Sequence, residues 1–136
     1  MRAERLTVYV VDDDASVRDS LALMLGIAGY RSALFGDAEA FLAALQPGWA
    51  GCVVADLRLP GMSGVELQAE LRRRGATIPV VIITAHGDVP SARTAFHARA
   101  VDFLEKPFDQ QQLFGAIDAA YAIEEHRMRG EEARRA

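Results

Sequence analysis

The chain has 136 residues, enough for one domain with a buried core and too few for two of ordinary size. Its 51% apolar and 25% charged residues exclude a disordered or fibrous chain, and a net charge of −4 without a basic stripe before the last turns argues against direct nucleic-acid binding. The single cysteine, Cys52, excludes a disulfide framework, and no apolar run is long enough for a signal peptide or a membrane span, so a cytoplasmic location and no membrane contact are expected.

Thr7-Val8-Tyr9-Val10-Val11 is a β-branched run and reads as the first strand. It stops at Asp12-Asp13-Asp14. An amphipathic helix follows from about Ala15 to Ala28, with Val17, Leu21, Met24, Leu25 and Ala28 at helical spacing and Gly29 as its stop. Tyr30 to Phe35 reads as a weaker second strand. Asp37 can cap a short helix carrying Ala40, Phe41 and Leu45, and Pro47-Gly48 ends it. Gly51 to Asp56 is an apolar run that closes on one aspartate, which suits a strand buried on both faces. Cys52 lies inside that run and reads as a small core residue.

Ser63 and Glu66 match a capping box, so a third helix runs to about Arg74. Pro79 to Thr84 is the fourth strand and the most apolar segment. Asp88 can cap a fourth helix through about Ala98, and Val101 to Glu105 is the fifth strand, broken by Lys106-Pro107. Asp109 and Gln112 form a second capping pattern for a last helix with Leu113, Phe114, Ile117 and Tyr121 on its apolar face. Residues 1–123 therefore form one domain, and 124–136 read as a solvated helical extension or linker. Strict alternation of strands and helices implies an α/β fold with right-handed crossovers and a parallel sheet covered on both faces.

Parallel strands bring their carboxyl ends to one edge, where α/β folds bind ligands. Asp12, Asp13 and Asp14 follow strand one, Asp56 ends strand three, Thr84 ends strand four, and Lys106 follows strand five. In the flavodoxin-like order 2-1-3-4-5, strands one and three are neighbours, so the acidic residues meet. Each has a plainer explanation. Asp14 reads wholly as a helix cap, and Asp12 and Asp13 partly so. Asp56 could open a turn, Thr84 could simply end a strand, and Lys106 could be solvated. Their joint placement on four strand ends argues against coincidence. Three carboxylates together repel unless a cation sits among them, and a hard divalent ion such as Mg²⁺ fits oxygen ligands. With that charge offset, Asp56 can attack phosphorus, Lys106 can neutralise phosphoryl oxygens, and Thr84 can donate to one of them.

These segments resemble the receiver domain of bacterial two-component response regulators. The resemblance rests on Val-Asp12-Asp13, Asp56-Leu-Arg-Leu-Pro60-Gly-Met-Ser-Gly64, Ile-Thr84-Ala-His-Gly-Asp and Asp102-Phe103-Leu-Glu-Lys106-Pro107-Phe108, and is closest to the FixJ-like branch. It implies a flavodoxin-like (βα)5 fold, doubly wound around a five-stranded parallel sheet of order 2-1-3-4-5. It implies Asp56 as phosphoacceptor, and Asp12, Asp13, Asp56 and the Arg58 backbone carbonyl as Mg²⁺ ligands. It makes Thr84 and Lys106 phosphoryl contacts, Thr84 and Phe103 a switch pair, and the Lys106–Pro107 bond cis. Arg58 and His86 are then expected to tune phosphate lifetime. The family commonly has glycine where Arg99 stands; an arginine there costs on the order of 1 kcal/mol if the helix ends left-handed.

The implied function is a phosphorylation-activated switch served by a sensor histidine kinase. It would catalyse only its own phosphorylation and dephosphorylation. The surface of the fourth helix and fifth strand, with Arg93, Phe96, His97 and Asp102, is expected to pair two phosphorylated copies. DNA contact would belong to a separate output domain joined through the extension; a stand-alone receiver in a phosphorelay is the alternative. A haloacid-dehalogenase-like phosphatase with Asp12 as nucleophile and Asp14 as acid is a rival, but no acidic pair follows Lys106 at a strand end. A flavin-binding module ranks last, since no Ser/Thr/Gly-rich loop follows strand one.

Overall fold

Short β-branched runs pair side by side in the computed structural model, which describes residues 6–84 and 102–135. Among the described residues, β1 (Thr7–Val11), β2 (Arg31–Phe35), β3 (Gly51–Asp56), β4 (Val80–Thr84) and β5 (Asp102–Glu105) form one parallel sheet in the order β2-β1-β3-β4-β5. The registers Val11↔Ala55, Asp56↔Ile83 and Thr84↔Glu105 bring the carboxyl ends of the four central and right-hand strands to one edge. All six residues of β3 are buried, as its unbroken apolar run requires.

Side-chain alternation divides the core into two layers. Val8, Val10, Cys52, Val54, Val81 and Ile83 face Leu21 and Leu25 of α1 (Ala15–Ile27) and Leu113 and Ile117 of the C-terminal helix (Gln110–Arg135). Tyr9, Val11, Val53, Ala55, Val80 and Ile82 face Phe41 of α2 (Ala38–Ala44) and Leu67 and Leu71 of α3 (Gly64–Arg73). Burial, with the charge of Glu124 nearby, pushes the Cys52 thiol up to about 12, so it is a core residue and not a nucleophile.

Among the described residues, the helix starts that the sequence marks at Asp14, Asp37, Ser63 and Asp109 are capped as expected, and the one marked at Asp88 lies outside them. Asp14 accepts from the Ser16 and Val17 N–H groups, and Asp37 from Ala40. Ser63 and Glu66 exchange side-chain and backbone bonds, and Asp109 and Gln112 do the same. Losing one such cap costs about 1 kcal/mol.

The segment after Ile123 is helical, as a helical extension would be, but it is not wholly solvated. The C-terminal helix runs without a break to Arg135, Glu124 is fully buried, and Met128 packs against the core. Leu113, Ile117, Ala120, Glu124 and Met128 are spaced by three or four residues, so Glu124 continues the buried stripe. The expected fourth helix with Arg93, Phe96, His97 and Arg99, and the loop residue His86, lie outside the described residues. Among the described residues no helix is long and apolar enough to cross a membrane.

Candidate functional site

The carboxyl edge of the sheet collects the polar side chains that the core does not use. Asp12 leaves β1 with only 1% of its surface exposed, and Asp56 ends β3 with 9% exposed. With the exposed Asp13, they place one carboxylate oxygen each within 4.8 Å of one another. This is the only group of three metal-capable side chains among the described residues.

Two backbone features position Asp56. The Leu57 N–H donates to the Ile83 carbonyl at 2.7 Å, so the chain keeps strand pairing just past the aspartate. The N-terminus of α3 then packs directly behind it. A Cβ on Gly64 would stand 2.7 Å from the Asp56 carbonyl oxygen, so only glycine lets α3 approach this closely. Asp56 Oδ1 accepts the Arg58 N–H at 3.0 Å, and Oδ2 accepts the Lys106 ammonium at 3.2 Å. Lys106 is itself placed by its own N–H, which donates to the Thr84 carbonyl at 2.8 Å, and the following Lys106–Pro107 bond is cis.

Asp12 is held differently. Its Oδ1 accepts the Asp14 N–H at 2.9 Å. Its Oδ2 is buried without a hydrogen bond and lies 3.7 Å from the Lys106 ammonium. Burial pushes the Asp12 carboxyl above the usual range, and the charges of Asp56 and Asp13 push the same way. The Asp14 N–H and Lys106 pull against them. Asp14 is taken by its helix: the Ser16 hydroxyl, then the Ser16 and Val17 N–H groups, hold its carboxyl below the usual range.

One ammonium thus serves two buried carboxylates, with a third beside them. The surplus of negative charge, the hard oxygen donors and the orphaned Asp12 Oδ2 fit a divalent cation of the Mg²⁺ type. A groove of about 690 Å³ runs from Asp13 along Leu57, Arg58, Pro60 and Ser63, so the Asp13 side of the cluster opens to solvent. Thr84 is 1% exposed at the end of β4, and Phe103 is half-buried against the α2–α3 layer.

The sequence-predicted residues Asp12, Asp13, Asp56, Arg58, Thr84 and Lys106 therefore share one sheet edge. Phe103 stands opposite Ile82, further down the sheet. Sequence reasoning passed over Arg18, whose guanidinium donates to the Asp12 carbonyl at 2.6 Å and braces the turn after β1. The only hint was a basic residue one turn into a helix whose cap is aspartate.

Comparison with known proteins agrees with this geometry. The family model for the response regulator receiver domain matches residues 8–118. FixJ of Bradyrhizobium diazoefficiens, a transcriptional regulatory protein, is 50% identical over 114 residues, covering 83% of this chain and 55% of the relative. FixJ of Azorhizobium caulinodans is 46% identical over 131 residues, covering 96% and 62%. The chain thus spans little more than half the length of these relatives. The crystal structure of FixJ-N superposes with a TM-score of 0.82 at 47% identity, over 86% of this chain and 94% of that one. The response regulator StyR superposes with a TM-score of 0.88 at 44% identity, over 94% and 65%. The phosphatase and flavin-binding alternatives find no support here. With the acidic edge, the strand order and these matches in agreement, the chain belongs to the response regulator receiver domain family.

Proposed function

We propose that this receiver takes a phosphoryl group onto Asp56 from the phosphohistidine of a sensor kinase. The observation that carries this reading is the meeting of the Asp56 carboxylate with Asp12, Asp13 and Lys106 at an open edge of the sheet. A carboxylate oxygen of Asp56 forms the new bond to phosphorus as the N–P bond of the donor breaks, and the electron pair leaves with the donor nitrogen. Asp12, Asp13, Asp56 and the Arg58 carbonyl would hold Mg²⁺, which supplies positive charge to the carboxylates and the phosphoryl oxygens. Lys106 adds a second positive charge as a point donor. Thr84 would donate its hydroxyl to a phosphoryl oxygen of the product. Hydrolysis of the acyl phosphate releases inorganic phosphate and returns the carboxylate, and Arg58 and His86, by resemblance to the family, would tune its rate.

Phosphorylation adds charge and acceptor oxygens next to Thr84. In this reading Thr84 moves toward them, and Phe103 turns into the space behind it, with no polar group to leave unsatisfied. The face that includes β5 then changes and pairs two copies. The relatives' names speak of transcriptional regulation; for this chain we infer the same output through a DNA-binding domain after the C-terminal helix, in the cytoplasm.

Incubation with Mg²⁺ and acetyl phosphate should add one phosphoryl group, read by intact mass. Asp56→Asn should add none. Undiminished labelling in that variant overturns the assignment.

A further inference from the structure

At the opposite end of β3 a second carboxylate is buried for a different purpose. Glu124 is 0% exposed. Its Oε2 accepts the Gly51 N–H at 3.0 Å, and its Oε1 accepts Arg127 Nε at 2.6 Å. Arg127 also reaches Glu131 at 2.6 Å, one turn further along the same helix.

Strand geometry explains why Gly51 needs this partner. The Ala50 carbonyl accepts the Thr7 N–H at 3.0 Å on the β1 side. Across a planar trans peptide, the Gly51 N–H therefore points to the β4 side. β4 is not yet there: its ladder to β3 starts at Val53↔Val80, with Pro79 accepting the Val53 N–H. Glu124 supplies the acceptor that a longer β4 would have supplied. Only glycine fits at this close approach to β1, because a Cβ there would stand 1.9 Å from the Thr7 carbonyl oxygen at φ +139°. Beyond Glu124 the helix stays against the base of the molecule. Arg127, Met128 and Glu131 form one wall of a cavity of about 600 Å³, with Trp49 and Ile78 on the other.

We infer that Glu124 is a positioning residue that makes the last turns of the C-terminal helix a rigid continuation of β3, the strand that ends on Asp56. The helix end is thus a strut referenced to the acidic edge, not a tether. A segment joined to it takes its direction from β3, roughly 17 Å from Gly51 to Asp56 by strand rise. This holds whether or not Asp56 accepts phosphate.

Amide hydrogen exchange on the full chain, with no phosphodonor present, tests the inference. In the wild type, amides from Glu125 to Glu131 should be protected as part of the domain. In Glu124→Ala they should lose protection at least about tenfold more than amides of β1 and β4, since a hydrogen-bonded charge has been removed. Arg127→Ala keeps the Gly51 bond, so it serves if Glu124→Ala does not fold. It should loosen Arg129 to Glu131 while the Gly51 amide stays slow. Equal losses along β1 and β4 in these variants would make Glu124 an ordinary core residue and overturn the strut. Fast exchange of Glu125 to Glu131 in the wild type would overturn it too.

Discussion

The two ends of β3 hold buried carboxylates under opposite conditions. At the carboxyl end, Asp12 and Asp56 share one ammonium with Asp13 beside them, and Asp12 Oδ2 has no hydrogen bond. At the amino end, Glu124 has a backbone N–H on one oxygen and a guanidinium on the other. Burying a charge is expensive unless it is paired and hydrogen-bonded. The satisfied carboxylate is therefore architecture. The unsatisfied cluster costs stability in the free protein, and only a ligand or a reaction restores that cost. A buried acid is informative chiefly through what it lacks.

The comparison breaks most visibly on divalent ions. Asp13→Ala should weaken Mg²⁺ binding on the order of 100-fold, at or beyond the upper range for outer-shell partners. Glu124→Gln should leave it unchanged. Titration calorimetry separates the two, and equal weakening in both would erase the distinction between the ends.

Stability without metal should move in opposite directions. Asp12→Asn keeps an acceptor for the Asp14 N–H and removes one of the crowded charges. It should stabilise by about 1 kcal/mol, since the lost repulsion is partly offset by the lost attraction to Lys106. Glu124→Gln turns a donor toward either Gly51 or Arg127 and should destabilise by about 2 kcal/mol. Urea unfolding in chelator reads both. Destabilisation by Asp12→Asn would show that the acidic edge is not strained.

The smallest effect sharpens the contrast with a carboxylate outside the core. Glu70 on α3 pairs with Arg73 and Arg74, and the Arg73 hydrogen bond, then that of Arg74, lowers its carboxyl to about 2 from 4.5. Because the folded value is the lower one, its contribution is present above pH 4.5 and fades as the pH falls from 4.5 toward 2. Glu70→Gln should flatten stability across that window only slightly, since solvent screens the pair, and added salt should shrink the difference further. A steep change there, or one indifferent to salt, would place Glu70 among the structural carboxylates.

Much of this was legible in the sequence. The β-branched run of β1, the unbroken apolar run of β3 and the four capped helix starts among the described residues are local signals, set by strand-forming side chains buried on both faces and by short polar residues meeting free N–H groups. The acidic edge was legible too, because parallel strands necessarily bring their carboxyl ends together. Tertiary structure alone decided how the charges are shared: that Lys106 serves both Asp12 and Asp56, that Asp14 belongs to its helix, and that Arg18 braces the Asp12 carbonyl. It also decided Glu124. The residue sits in a charged run that reads as solvated, although its spacing from Ile117 and Ala120 continues the buried stripe. Only the shortness of β4, which leaves the Gly51 N–H without a strand partner, gives that carboxylate a reason to be inside. Sequence pattern reports which face of an element is buried; which polar groups find each other across 73 residues depends on where the strands end.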